Sequence, residues 1–186
     1  MDQPGDITQA LGDVAADVPG ATDRLLDLVA QRLRDQAGAR LASLPPWRTL
    51  EPTDLVGELY LRVFGHETVP TWENSGAFFG HVARSMRDIV VERARAATTQ
   101  KRGGDHQRVP LDDDAVALEE AERFLEVNEA LSEFERLHER ASRVVYLRYF
   151  CGLTEGTAAE VLNISRETAS RDFALAKGWL RKRLGR

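Results

Sequence analysis

The sequence predicts an all-α protein, built as two small helical domains joined by a flexible linker. Three observations carry that prediction. Apolar residues recur at helical rather than alternating spacing almost throughout the chain. The stretch TTQKRGGDHQRVPLDDD has two glycines, a proline and no apolar period, which is the composition of an interdomain connection. A length of 186 residues suits one medium domain or two small ones. The predicted boundaries are 5–97, 98–114 for the linker, and 115–186.

Taken in order, Asp6 with Gln9 has the spacing of a helix N-cap pair, and Pro19-Gly20 interrupts the chain after this first helix. Leu25, Leu28, Val29, Leu33 and Leu41 lie broadly on one side of a second amphipathic stretch, which the two prolines of SLPPW break. Near Pro52-Thr53 another helix starts, with Leu55, Val56, Leu59, Tyr60, Val63 and Phe64 at helical spacing. Residues from about 74 to 97 form the next. Its Phe79, Val82, Met86, Ile89, Val90 and Ala97 share one face, and Arg84, Arg87 and Arg95 the opposite one. Beyond the linker come an acidic amphipathic helix (Ala121, Phe124, Leu125, Leu131) and a helix from Arg140 to Phe150.

Composition narrows the function classes. The hydrophobic fraction of 42% is enough for ordinary cores. No basic run precedes an apolar one at the start, so no signal peptide is read, and no apolar stretch reaches the ~18 residues of a membrane span. The single cysteine, Cys151, reads as a buried structural thiol in a reducing, cytoplasmic setting. His66, His81, His106 and His138 are dispersed and no carboxylate cluster has metal-ligand spacing, so neither an enzyme nor a cofactor is expected.

The net charge of −5 conceals a blocky pattern. Asn163 to Arg186 carries seven basic and two acidic residues, Arg84 to Arg108 seven and three, and Leu111 to Glu139 eleven acidic and two basic. Two positive patches on an acidic background suit a selective polyanion binder. The acidic block itself reads as a solvated helix face; its Ala115–Glu129 portion is also where a clasp against the basic patches would lie.

The clearest motif is LTEGTAAEVLNISRETASRDFALAKGWLRKRL, residues 153–184. Thr154 can cap a short helix, Asn163 suits a left-handed turn, and Ser165 can cap the next helix. Ala158, Ala159 and Ile164 allow a close helix crossing. At about 100° per residue, Ala169, Phe173, Ala176, Leu180 and Leu184 face one way, flanked by Trp179. Glu167, Ser170, Arg171, Ala174, Lys177, Gly178 and Arg181 face the other. Small residues among charged ones let a helix enter a major groove. Arg166, Glu167, Ser170 and Arg171 are placed for base edges, and Lys177, Arg181, Lys182 and Arg183 for phosphates. In the N-terminal domain the arginine stripe, preceded by a polar loop with Trp72, suits a nucleic-acid strand with base stacking, although by pattern alone Trp72 reads first as a core or hinge residue.

The segments TLEPTDLVGELYLRVFG, WENSGAFFGHVARSMRDIVVERARA, KRGG and VVYLRYFCGLTEGTAAEVLNISRETASRDFALAKGWL, in that order over nearly the whole chain, resemble an extracytoplasmic-function (ECF) sigma factor of the sigma-70 superfamily. The resemblance implies sigma region two in the first domain and region four, with its helix-turn-helix, in the second. It implies a subunit that directs core RNA polymerase to promoters and helps open the DNA. Asp54, Glu58 and Arg62 would meet the β′ clamp helices. The loop with Trp72 and Asn74, together with Arg84, Arg87 and Arg95, would hold the minus-ten element, a base being flipped into the loop's pocket. Ser165, Arg166, Glu167, Thr168, Ser170, Arg171, Lys177 and Arg181 would meet the minus-thirty-five element, while another surface of region four meets the β flap. An anti-sigma factor is a further partner the family allows, though nothing in the sequence encodes one. No extra domain after region four is expected.

Two positions depart from the pattern. Ser170 stands where relatives often have lysine, so their base preference does not carry over. Arg93 points towards the apolar side, where its stem would pack and its head reach solvent. The competing reading is a stand-alone helix-turn-helix regulator that binds duplex DNA without polymerase, usually as a dimer on a palindrome. The arginine stripe and the lack of an evident ligand pocket in the first domain speak against it.

Overall fold

A computed structural model describes residues 4–16, 18–21, 23–25, 27–28, 31, 52–65, 72, 74–102 and 112–185. Among them there is no strand, and no helix is long and apolar enough to cross a membrane. The helices are α1 (Pro4–Ala15), α2 (Pro52–Phe64), α3 (Ser75–Arg102), α4 (Asp112–Leu137), α5 (Glu139–Tyr149), α6 (Glu155–Val161) and α7 (Arg166–Arg183). Residues 21, 23–25, 27–28 and 31 are helical as well. Val29, Leu33 and Leu41 lie outside the described residues.

Pro4 and Pro52 open α1 and α2, where the missing N–H costs nothing and the fixed φ is already helical. Asp6 is therefore inside the first turn of α1, not its cap, and acts there as an acidic residue at the positive end. The cap of α3 is Asn74, whose Oδ1 accepts from the Ala77 N–H at 2.9 Å. α3 runs past Ala97 to Arg102, since no helix breaker occurs before Gly103; the Thr98 and Thr99 hydroxyls are accommodated by donating back to Arg95 O (both 2.9 Å). α4 is already helical at Asp112. Residues 103–111 lie outside the described set.

α3 is the central element. Leu55, Leu59 and Val63 of α2 pack on it from one side, α4 and α5 from another, and α1 and α6 also touch it. Its buried stripe is Phe78, Phe79, Val82, Met86, Ile89 and Val90. The buried residues form one contiguous core running from Ala10 and Leu25 through α3 into Phe134, Tyr146 and Ala176. The N-terminal and C-terminal helices thus pack directly against each other within the described residues.

In the C-terminal unit, the chain reverses after α5 at Gly152 (φ 59°), where Leu153 N–H donates back to Leu147 O at 3.0 Å. Thr154 Oγ1 then accepts from Thr157 N–H at 3.2 Å and caps α6. Asn163 (φ 53°) closes α6: its N–H reaches Glu160 O and that of Ile164 reaches Ala159 O, both at 3.0 Å. Such a pair of bonds needs a left-handed residue, which Asn tolerates. Ser165 Oγ accepts from Thr168 N–H at 3.1 Å and starts α7.

Candidate functional site

Two faces present the residues singled out by sequence. The first is the outer side of α7. Buried Ala169 and Ala176 let its inner side lie close on α5 and α6, with Phe173, Trp179 and Leu180 packed at the edge. Glu167, Ser170, Arg171, Ala174, Lys177, Gly178 and Arg181 are all exposed, as their spacing predicts. Arg171 is paired with Glu167 one turn earlier, so the guanidinium is steadied without being buried. Arg166 lies 3.5 Å from Glu155 at the start of α6. Ser165 and Thr168 are engaged in the cap, their hydroxyl oxygens 2.8 Å apart. Lys177 extends over the Phe173 ring at 5.9 Å.

Two residues of α7 have roles that helical spacing alone does not assign. Asp172 is buried and receives a bidentate grip from Arg140 of α5 at 2.7 and 3.0 Å, which raises the Arg140 pKa through hydrogen bonding. Arg183, placed by sequence with the phosphate-contacting residues, is instead held by Glu133 of α4 at 2.8 and 2.9 Å. That hydrogen bonding lowers the Glu133 pKa and raises that of Arg183. Of the four cations placed by sequence for phosphates, Lys177, Arg181 and Lys182 therefore remain on the outer side, all exposed. Arg148 of α5 stacks 3.8 Å above Phe173 and fixes the crossing from the inside.

The second face belongs to α3. Arg84 and Arg95 are exposed on it. Arg87, between them, is not: its side chain is 15% exposed and reaches across to α4 and α5. Its Nε donates to Asn128 Oδ1 at 2.6 Å, its Nη2 to Ser132 Oγ, and its Nη1 lies 3.6 Å from Glu135. The guanidinium also sits 5.2 Å over the Tyr146 ring. Trp72 is half-buried, edge-on to Phe64 (5.7 Å) and Phe78 (5.0 Å), and packs against the core. It nonetheless lines, with Asn74 and Arg84, one wall of a polar groove of about 860 Å³; Arg143, Tyr146 and Asn163 form the other.

Of the α2 residues, Asp54 is placed by its backbone only. Glu58 and Arg62 pair with each other at 3.4 Å, and Arg62 also pairs with Glu92 of α3. Hydrogen bonding between the last two lowers the Glu92 pKa and raises that of Arg62. Arg93 joins this network through Glu58 Oε2 at 2.9 Å, so its head ends on a carboxylate rather than in water alone. Leu61 and Tyr60 stay exposed beside these charges.

The residues that receive Arg87 escaped sequence reasoning. The one local trace is that Asn128, Ser132 and Glu135 follow helical i, i+4, i+7 spacing, a polar stripe on an otherwise acidic helix. Among the described residues no group of His, Cys, Asp and Glu could hold a metal ion.

Compared with known proteins, the chain matches the family model described as ECF sigma factor over residues 4–186. Neither the curated proteins nor the solved structures contain a match.

Proposed function

The chain belongs to the ECF sigma factor family, whose members direct core RNA polymerase to promoters, and from that premise we propose how its two units divide the work. Residues 5–97 act as region two and 115–186 as region four, joined through the segment between them. Region four lays the outer side of α7 in the major groove of the minus-thirty-five element. Arg171, Ser170, Glu167 and Arg166 read base edges; Lys177 and Arg181 hold phosphates; Ser165 and Thr168 set the helix start. Region two holds the minus-ten strand with Arg84, Arg87 and Arg95, and the Trp72–Asn74 loop takes a flipped base.

Asp54, Glu58 and Arg62 on α2 face the β′ clamp helices, and another surface of region four meets the β flap. The protein supplies no bond chemistry; the polymerase makes RNA in the cytoplasm, where promoter DNA lies. Two weak DNA contacts anchored to one complex gain from high effective concentration, so neither domain needs to bind tightly alone. Control by an anti-sigma factor belongs to the same reading.

The observation that carries this division is the outer side of α7: a capped helix with seven exposed small or charged residues, its buried residues Ala169, Asp172 and Ala176 on the inner side and Leu175 the exposed large apolar one. Run-off transcription by purified core polymerase on a genomic fragment library, with and without the protein, tests it. Discrete new start sites should share two upstream motifs at fixed spacing. Exchanging Arg84 and Arg95 for alanine should weaken use of the downstream motif, and α7 variants should alter the upstream one. Specific duplex binding with no polymerase association and no new transcripts would instead favour the stand-alone regulator.

A further inference from the structure

The inner side of α7 carries a charge where an apolar residue would be expected. Among the described residues, Asp172 is the only charged side chain that is buried. A carboxylate taken out of water is strongly destabilising unless it is paired and hydrogen-bonded. Arg140 of α5 takes both of its oxygens, through Nε at 2.7 Å and Nη2 at 3.0 Å. Because the guanidinium is flat and its donors form a fixed fork, this grip sets direction as well as distance.

Further along α5, the Arg148 guanidinium lies 3.8 Å over the ring of Phe173. Asp172 and Phe173 are neighbours in sequence, so their side chains leave α7 about 100° apart. Buried Ala169 and Ala176 lie on the line between them. The two arginines of α5 therefore hold α7 from both edges of its inner side, one by charge and one by stacking. Glu155, at the start of α6, ties the second arm to the start of α7: its carboxylate lies 3.6 Å from Arg148 and 3.5 Å from Arg166. The alanines let the helices approach closely but present little ridge to lock into a groove, so the arms must supply the resistance to rolling.

We infer that this yoke sets the roll of α7 about its own axis, and that Asp172 and Arg140 are positioning residues for base reading at the upstream promoter element. The inference rests on the proposal that the outer side of α7 enters the major groove. Arg171 immediately precedes Asp172, so any roll that carries Asp172 away from Arg140 carries Arg171 with it. A roll of about 20° displaces the tip of a long side chain by about 3 Å, more than a hydrogen bond tolerates. The pairing of Arg171 with Glu167 cannot replace this anchor, because both residues belong to α7 and roll together.

The test uses holoenzyme assembled from core polymerase and the full chain, selected on promoters whose upstream motif is randomised. Asp172→Asn keeps the shape and one acceptor, removes the charge, and changes no residue assigned to a base or a phosphate. At the base pairs read by Arg171, preference for the best base should fall about tenfold. The downstream motif and the salt dependence of binding should stay as in wild type, since no phosphate contact is lost. Arg140→Gln, made at the largely exposed partner, should relax the same base pairs, and carries the test if circular dichroism shows Asp172→Asn unfolded. Arg140→Lys, which keeps the charge but not the fork, should fall between Arg140→Gln and wild type.

A folded variant with the base preferences of the wild type would overturn the inference. So would a uniform loss of binding at every upstream sequence, which is what plain destabilisation of the C-terminal unit produces. A salt slope lower by about one in Arg140→Gln would also overturn it, because Arg140 would then be a phosphate contact itself. Arg171→Ala in the same selection reads the underlying proposal separately. If it relaxes the motif while Asp172→Asn does not, α7 reads bases without help from the yoke. If Arg171→Ala changes nothing, the groove assignment falls and the role of the yoke falls with it.

Discussion

The outer side of α7 and the basic side of α3 carry similar charges and opposite degrees of commitment. On α7 the polar residues are solvent-facing, and the contacts that fix the helix, Arg140 with Asp172 and Arg183 with Glu133, lie on its inner side and at its end. On α3 the middle arginine of three is consumed by the other domain. On the assignment proposed above, a recognition helix can be displayed permanently because groove binding by one domain is weak, whereas a strand-holding surface left fully exposed would capture any single strand. The two faces differ in how they are guarded, and that difference lies in packing rather than in composition.

The comparison is broken most forcefully through the core. Phe134 is fully buried, its ring tilted against those of Trp179 of α7 (5.4 Å) and His138 (5.0 Å). Phe78 is equally buried beneath Trp72. Truncating either to alanine should cost about 3–5 kcal/mol. Because the core is contiguous across both units, calorimetry of the wild type should show one transition, and both substitutions should lower it. Two transitions, with Phe78→Ala moving only one, would mean that the regions fold separately and that the guarded face is a weak encounter.

Next in size is the exposed face. Arg171→Ala should lose about 1–3 kcal/mol of discrimination at one or two base pairs of the upstream motif. Lys177→Ala should instead weaken binding to all sequences alike and flatten the salt dependence by roughly one phosphate contact. Footprinting against a promoter set at several salt concentrations separates the two. If Arg171→Ala leaves selectivity unchanged, the residues of α7 that read bases have been misplaced.

The α7 face was readable in advance for a physical reason: a period near 3.6, two oxygen caps and one left-handed asparagine are all local in sequence. The same applies to Leu55, Leu59 and Val63 on α2 and to the buried stripe of α3. The partners of charged residues were not readable, because those pairings bridge long stretches of chain. Arg87 finds Asn128 and Ser132 more than forty positions away, Arg93 finds Glu58, and Asp172 finds Arg140. Local period says which way a side chain points, not what waits opposite. Trp72 shows the same limit: its loop reads as a base pocket or as a hinge, and only the rings of Phe64 and Phe78 decide where its own ring packs.

The smallest expected effect probes the contact of α3 with α4 and α5 from inside. Tyr146 is buried between the two units, with Glu135 of α4 accepting from its hydroxyl and Arg87 of α3 beside its ring, and Arg84 is the other charge acting on it. Burial first, and the bond to Glu135 second, push its pKa well above the ordinary 10.0, against the opposing pull of the two arginines. A group whose pKa is raised on folding stabilises the folded state fully below its unfolded pKa and loses that contribution as pH rises above it. That contribution should therefore be lost from about pH 10 upward, as the unfolded tyrosine ionises and the folded one resists. Tyr146→Phe should cost about 1 kcal/mol at neutral pH, the net value of one hydrogen bond, and should remove this share of the alkaline loss. Denaturant midpoints measured from pH 8 to 11 should fall more steeply for the wild type than for the variant. Parallel curves would place Tyr146 in contact with water and leave Arg87 held by α4 alone.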